Sequence, residues 1–168
     1  MTYFDNAGRP DVLSGGVRIV PVSTPAGAHR AWTKRTGNNA STKLLLLHGG
    51  PGATHEYLLA FDSFLPASGV EYYYYDQLGS GWSDRPDDPE LWTIDRFVDE
   101  VEQVRRALGL DSENFILYGQ SRGGLLAIEY ALAHQQELKG LIISNHDGEH
   151  PGLLASLPNG AAWAALGV

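Results

Sequence analysis

The 168-residue chain contains no cysteine and comparatively few basic residues. Without cysteine it can form neither disulfides nor a thiolate metal site. Twelve lysines and arginines stand against twenty aspartates and glutamates, giving a formal net charge of −8. This charge argues against nucleic acid or an anionic membrane surface as a partner. No apolar run approaches the roughly 20 residues of a membrane-spanning helix, so we expect no membrane partner of that kind either.

Residues 1–6 have neither the basic region nor the apolar stretch of a secretory signal peptide. We therefore expect a soluble, cytoplasmic protein. The length is that of one domain, and a hydrophobic content of 43% is that of an ordinary globular core. Because no histidines and carboxylates have convincing metal-ligand spacing, we expect no metal and no other cofactor.

Short apolar segments alternate with amphipathic ones, which predicts βαβ units and a mostly parallel sheet flanked by helices. The clearest helix begins after Thr93, a candidate N-cap, and ends before Gly109, a candidate C-terminal glycine. We expect the tyrosines at 72–75 to alternate between packing sites in the core. Strands are predicted at 17–22, 29–35, 43–47, 70–75, 115–118 and 141–144, and further helices near 57–64 and from 125 to about 135.

Ser121 lies between the apolar strand 115–118 and the helical pattern that follows. The segment has the form G-x-S-x-G, with Gly119, Gln120 and Gly123 around the serine. Strand, G-x-S-x-G and helix form the context of a nucleophile elbow, a sharp turn that presents a serine hydroxyl. Glycines two residues before and after the serine remove Cβ atoms that would collide in such a turn.

Three segments together resemble the proline iminopeptidase (prolyl aminopeptidase) family of the α/β-hydrolase superfamily. They are His-Gly-Gly-Pro-Gly at 48–52, Tyr-Asp-Gln-Leu-Gly-Ser-Gly-Trp-Ser at 75–83 and Gly-Gln-Ser-Arg-Gly-Gly at 119–124. The resemblance covers about residues 10–145. It departs from the family at Arg122, where the family segment G-Q-S-W-G-G has tryptophan.

The resemblance implies an α/β-hydrolase fold and the release of an N-terminal residue, preferably proline, from a small peptide substrate. Ser121 would be the nucleophile. The backbone N–H of Arg122, together with that of Gly49 or Gly50, would form the oxyanion hole. Asp76 precedes the serine whereas the family places its acid after it, so we interpret Asp76 as a loop-stabilising acceptor.

A serine nucleophile needs a base, and in α/β-hydrolases the acid and the histidine follow the serine. Only 47 residues follow Ser121, and the family's lid and last strands have no counterpart. We therefore interpret residues 1–145 as the N-terminal part of an α/β-hydrolase core that is inactive alone. Two alternatives stay open. One is an esterase or other α/β-hydrolase, and the other is a non-catalytic fragment or interaction module.

Residues 146–168 form an atypical tail. Its histidines and acids, His146, Asp147, Glu149 and His150, are poorly placed for a triad. Back-translation of 146–151 permits codons that encode Met-Met-Ala-Ser-Ile-Pro after a one-base shift, and this is the family's own segment. We hypothesise that the tail is out-of-frame translation. We also expect residues 141–143 to form an unprotected sheet edge, and the isolated chain to be poorly soluble.

Overall fold

The computed structural model describes residues 16–50, 52–144 and 162–166. Seven strands form one sheet in the order β1-β2-β4-β3-β5-β6-β7. β1 pairs with β2, and β2 with β4, in antiparallel orientation, and every other pair is parallel. The strands are β1 (Val17–Thr24), β2 (Gly27–Thr36), β3 (Lys43–Leu47), β4 (Glu71–Asp76), β5 (Phe115–Gln120), β6 (Gly140–Ser144) and β7 (Ala162–Leu166).

Two α-helices lie in the described part of the chain, α1 (Ile94–Leu108) and α2 (Arg122–His134). The predicted caps of α1 are confirmed. The Thr93 side chain accepts a hydrogen bond from the Arg96 N–H, and Gly109 ends the helix in the left-handed conformation at φ 67°. The helix predicted near 57–64 is a 3-10 helix, His55–Ser63, and shorter 3-10 turns span Pro66–Ser68, Pro89–Leu91 and Gln135–Glu137. No helix in the described ranges is long and apolar enough to cross a membrane.

The sheet has a different apolar cluster on each face, and the tyrosine run of β4 contributes to both. Tyr73 and Tyr75 belong to the larger cluster, with residues of α1 and α2. Tyr72 and Tyr74 belong to the smaller cluster, beneath the 3-10 helix His55–Ser63. The predicted alternation is therefore confirmed, as the two-residue period of a strand requires. The five residues of β3 are all buried, as expected of a central parallel strand.

The prediction that residues 141–143 form an unprotected edge of the sheet is wrong. β7 pairs in parallel with the whole of β6, placing Leu141 beside Trp163 and Ile143 beside Ala165. The backbone groups of β6 on that side therefore have a neighbouring strand, and β7 is the last strand of the described sheet at this end. Residues 145–161 lie outside the described part, and so do the four acids and histidines proposed from the tail. Of the tail, residues 146–168, the structure describes only 162–166. The hypothesis that the tail is out-of-frame translation stays a prediction.

Candidate active site

Ser121 occupies a sharp turn between β5 and α2, with φ 54° and ψ −124°. It is the one non-glycine residue with positive φ in the described ranges. Such a conformation costs on the order of 1–3 kcal/mol and persists only where its surroundings enforce it. Here the Ser121 N–H donates to the Ser144 carbonyl at the end of β6 (3.0 Å), and the Ser121 carbonyl accepts from the Gly124 N–H (2.8 Å). The turn is thus bonded to the neighbouring strand and to α2.

The glycines beside Ser121 allow backbone segments to approach closely. A Cβ at Gly119 would lie 2.3 Å from the Gly123 carbonyl oxygen. A Cβ at Gly123 would lie 2.4 Å from the carbonyl oxygen of Leu47 and 2.6 Å from that of His48. The start of α2 therefore packs directly on the end of β3, which brings the loop after β3 to the serine.

The loop after β3 contributes Gly49 and Gly50, the two candidate oxyanion donors. A Cβ at Gly49 would lie 3.0 Å from the Ser121 Cβ, so the loop touches the elbow. The Gly49 N–H, however, already donates to the Tyr57 hydroxyl at 2.6 Å. Gly50 is exposed, with φ 78°, and across residues 16–50 and 52–144 no acceptor partners its N–H. Of the two glycines, Gly50 has the available donor.

Arg122 is the first residue of α2, where a backbone N–H has no carbonyl partner within the helix. Its N–H therefore remains available beside Ser121, as that of Gly50 does on the facing loop. Free backbone N–H donors near a nucleophile are groups that can stabilise a developing oxyanion. The arginine side chain itself is exposed.

Tyr57 connects the loop after β3 to the elbow. Besides accepting from Gly49, its hydroxyl donates to Gln120 Oε1 at 2.9 Å. Burial raises the pKa of Tyr57, so the hydroxyl keeps the proton that it donates to Gln120. The sequence did not identify Tyr57, because Gln120 lies 63 positions away along the chain and no local pattern joins them.

His48 is buried and neutral, and both nitrogens of its ring contact backbone groups of the neighbouring loops. Its Nε2 accepts the Gln77 N–H at 3.1 Å, so the proton is on Nδ1, which lies 3.0 Å from the Gly49 carbonyl oxygen. Burial lowers the pKa of His48, in agreement with this tautomer. Both ring nitrogens are engaged within the loops, so His48 has none left to serve Ser121 as a base.

Asp76 is fully buried and accepts three bonds, from the His55 N–H (2.9 Å), His55 Nδ1 (2.9 Å) and the Trp82 N–H (3.0 Å). Burial raises its pKa, but the bonds from His55 and Trp82 outweigh burial and leave the pKa below its ordinary value. The His55 ring stacks on Trp32, with centroids 4.4 Å apart. The interpretation of Asp76 as a loop-stabilising acceptor is confirmed, since it fastens the loop after β4 to the start of the 3-10 helix His55–Ser63.

A cavity of about 410 Å³ opens beside the elbow, within the range of small-molecule sites. Gly50 and Arg122, the two residues with available N–H donors, both border it. Leu78, Trp92 and Phe97 give it an apolar wall. The sequence did not predict this wall, because Leu78 follows β4, Trp92 follows a 3-10 turn and Phe97 lies in α1, and no local pattern joins them.

In the described ranges no side chain hydrogen bonds to the Ser121 hydroxyl, and no three histidines or carboxylates gather as metal ligands. The structure thus brings together the serine, the elbow residues Gly119, Gln120 and Gly123, and the donors of Gly50 and Arg122. It places no base within the described residues.

The family model for the alpha/beta hydrolase fold matches residues 43–163. The chain therefore belongs to the α/β-hydrolase family. Within that family it is similar to proline iminopeptidases. It is 53% identical over 148 residues to the proline iminopeptidase of Elizabethkingia meningoseptica, a match that covers 88% of this chain and 47% of the relative. It is 52% identical over 146 residues to that of Flavobacterium johnsoniae, covering 87% and 47%.

A crystal structure of proline iminopeptidase from Mycobacterium smegmatis superposes with a TM-score of 0.69 at 34% identity, over 77% of this chain and 44% of that one. The chain thus spans about half the length of the relatives it matches. The predicted fold class and family resemblance are confirmed.

Proposed function

We propose that this chain carries the nucleophile and oxyanion hole of a serine hydrolase that releases N-terminal residues, preferably proline, from short peptides. The observation that carries the proposal is the backbone of Ser121, held at φ 54° between β5 and α2. Backbone strain of this kind clusters at functional sites, and the next residue, Arg122, lines the cavity. The similarity to proline iminopeptidases supports the substrate class.

In the proposed mechanism the Ser121 hydroxyl oxygen attacks the carbonyl carbon of the first peptide bond. The carbonyl oxygen becomes an oxyanion and accepts hydrogen bonds from the N–H groups of Gly50 and Arg122. Donors held in place before the reaction need no reorganisation, and losing one costs on the order of 10²–10³ in rate. Gly49 then has a supporting part, since its N–H is engaged by Tyr57.

Attack by serine requires a base to take the hydroxyl proton, and later an acid to protonate the leaving amine. No described residue is placed for this task, and His48 has both nitrogens engaged. We therefore infer that the base comes from outside the described residues. On this proposal the isolated chain does not turn over peptides.

The test is complementation. The chain is mixed with the portion of the Elizabethkingia meningoseptica protein that lies outside the matched region, and hydrolysis of L-proline p-nitroanilide and of p-nitrophenyl acetate is followed. We expect no turnover by either part alone, proline release by the mixture, and loss of that release with Ser121→Ala. Activity that survives Ser121→Ala overturns the nucleophile assignment. Ester hydrolysis without proline release would favour an esterase, and binding of the two parts without any hydrolysis would favour a non-catalytic module.

A further inference from the structure

Two arginines border the cavity beside Ser121. Arg122 and Arg85 are both exposed and both line it. Arg85 donates one bond from Nη2 to the Gly81 carbonyl at 3.2 Å, and its other donors stay free of the described residues. Arg122 makes no hydrogen bond or ion pair with its side chain across 16–50 and 52–144. The cavity therefore has two guanidinium groups with unused donors.

No aspartate or glutamate of the described ranges lines this cavity. Asp84, Asp87 and Asp88 are near Arg85 in sequence but do not line the cavity, and Asp84 pairs with Arg30 at 3.0 Å while Asp88 accepts from the Glu90 N–H. A third arginine, Arg96, packs on the Phe97 ring from the protein side, and its charge is matched by the buried Glu100. Among the described residues, no carboxylate forms a salt bridge with Arg85 or Arg122.

Leu78, Trp92 and Phe97 form one apolar wall of the cavity, and its other polar side chains, His48, Gln77 and Ser80, carry no negative charge. A cavity with one apolar wall and two unpaired guanidinium groups fits a small compound that has an anionic group on an apolar body. Arginine suits carboxylates in particular, because its planar fork of donors matches the two oxygens.

Since Arg122 follows Ser121 directly, its charge lies close to the proposed reaction centre. We propose that Arg122 and Arg85 select peptides by their free C-terminal carboxylate, so that the preferred substrates are dipeptides with an apolar second residue. This inference rests on the proposed function. The carboxylate of a dipeptide lies one residue beyond the bond to be cleaved, about 3.8 Å of chain from one Cα to the next. Longer or amidated peptides would place no charge there.

The test measures binding to the 168-residue chain, because binding needs no base. L-prolyl-L-phenylalanine and its C-terminal amide are titrated by NMR or calorimetry into the chain, Arg122→Gln, Arg85→Gln and Lys139→Gln. Arg122→Gln removes the charge and keeps the backbone N–H. Lys139 is the matched control, a cation before β6 that donates to the Ser41 and Glu113 carbonyls. Circular dichroism confirms that each variant is folded.

We expect the acid to bind about five- to tenfold more tightly than the amide, as charge-assisted hydrogen bonds to a partly exposed group allow. Arg122→Gln should abolish most of this preference, Arg85→Gln part of it, and Lys139→Gln none. Raising the salt concentration should weaken the preference through screening. Equal binding of acid and amide, no binding of the acid, or an equal loss in Lys139→Gln overturns the inference.

The Ser121→Ala variant separates this inference from the proposed function. The acid preference should persist in Ser121→Ala, because a binding site does not require the nucleophile. A preserved preference with no Ser121-dependent hydrolysis in the complementation test would leave the carboxylate site standing and reject the peptidase. Serine-dependent hydrolysis without a preference for the acid over the amide would support the peptidase and reject the carboxylate site.

Discussion

At the scale of single residues, Gly123 decides whether the elbow can form. Alanine at this position would place its Cβ 2.4 Å from one backbone oxygen of β3 and 2.6 Å from that of His48. These atoms belong to a buried strand end and cannot move aside cheaply. We expect Gly123→Ala to lower the free energy of unfolding by about 1–3 kcal/mol or more, as overpacking does, measured by urea denaturation.

Gly69→Ala is a suitable control for this substitution. Gly69 has φ 68°, and an added Cβ there meets no atom within 4 Å. Gly69→Ala should therefore lower the free energy of unfolding only by the cost of holding alanine in the left-handed conformation, about 1 kcal/mol. If Gly123→Ala cost no more than this control, the close packing of α2 on β3 would be refuted.

Tyr57 gives a second prediction at this scale. Tyr57→Phe leaves the Gly49 N–H and the Gln120 side-chain oxygen without their shared partner. Because Tyr57 is 44% exposed, water can replace part of the bonding. We expect a loss of about 1 kcal/mol in unfolding free energy and a clear shift of the Gly49 amide resonance. Tyr118→Phe is the control, since no hydrogen bond of the Tyr118 hydroxyl occurs within the described residues. An unmoved Gly49 resonance would contradict the assignment.

At the scale of elements, Glu102 joins α1 to α2. Its carboxylate accepts from Arg105 at 2.7 and 2.8 Å, from Arg106, and from the Tyr130 hydroxyl at 2.8 Å. Burial raises the pKa of Glu102, but the bonds from Arg105 and Tyr130 outweigh it, and the pKa falls from 4.5 to about 2. A carboxylate whose pKa is lower in the folded state stabilises that state above its unfolded pKa.

The stabilisation from Glu102 should therefore be complete above pH 4.5 and disappear as the pH falls toward about 2. We expect Glu102→Gln to unfold more easily at pH 7 and to lose less stability than the wild type between these two pH values. Urea denaturation at a series of pH values measures both. Glu90→Gln, at an exposed position, should keep the wild-type slope, and an identical slope for Glu102→Gln would count against the proposed linkage.

The elements themselves could be predicted well wherever a local pattern determines them. α1 follows from its apolar face and its two caps, and the burial of β3 follows from an uninterrupted apolar run. The 3-10 helix His55–Ser63 was predicted only as a helix, because its type depends on packing against β4 and β5. β7 was not predicted, because a segment of alanines has no strand pattern of its own and pairs only where β6 offers an edge.

The residues of the candidate site also fall into two groups, those that a local sequence pattern identifies and those that only the structure shows. Ser121 and its glycines are contiguous in sequence, and the loop glycines form a compact motif, so both could be identified. Tyr57, Arg85 and Trp92 could not, because they reach the site through contacts between segments far apart along the chain. The choice of Gly50 over Gly49 as the available donor also needed the structure, since it depends on where the Tyr57 hydroxyl lies.

At the scale of the whole molecule, the chain spans about half the length of its relatives and yet forms a seven-stranded sheet. The described residues supply a strained serine, two backbone donors and a cavity, which are the parts that orient a substrate. On the proposed function, the base that would complete the chemistry lies outside them. Under the proposed function, recognition and reaction can therefore be tested separately in this protein.

The pairing of β7 with β6 determines how the sheet ends, and two prolines can test it. In a parallel pair, alternate residues of an edge strand donate to the neighbour, so of Ala164 and Ala165 only one N–H faces β6. Proline has no N–H, and an edge strand tolerates it only where that N–H faces solvent. We expect one of Ala164→Pro and Ala165→Pro to release β7, bare the apolar β6 and shift the chain toward aggregates in size-exclusion chromatography. The other variant is its matched control and should elute as the wild type does. If both variants elute like the wild type, β7 does not protect β6, and the sheet ends at Gly140–Ser144.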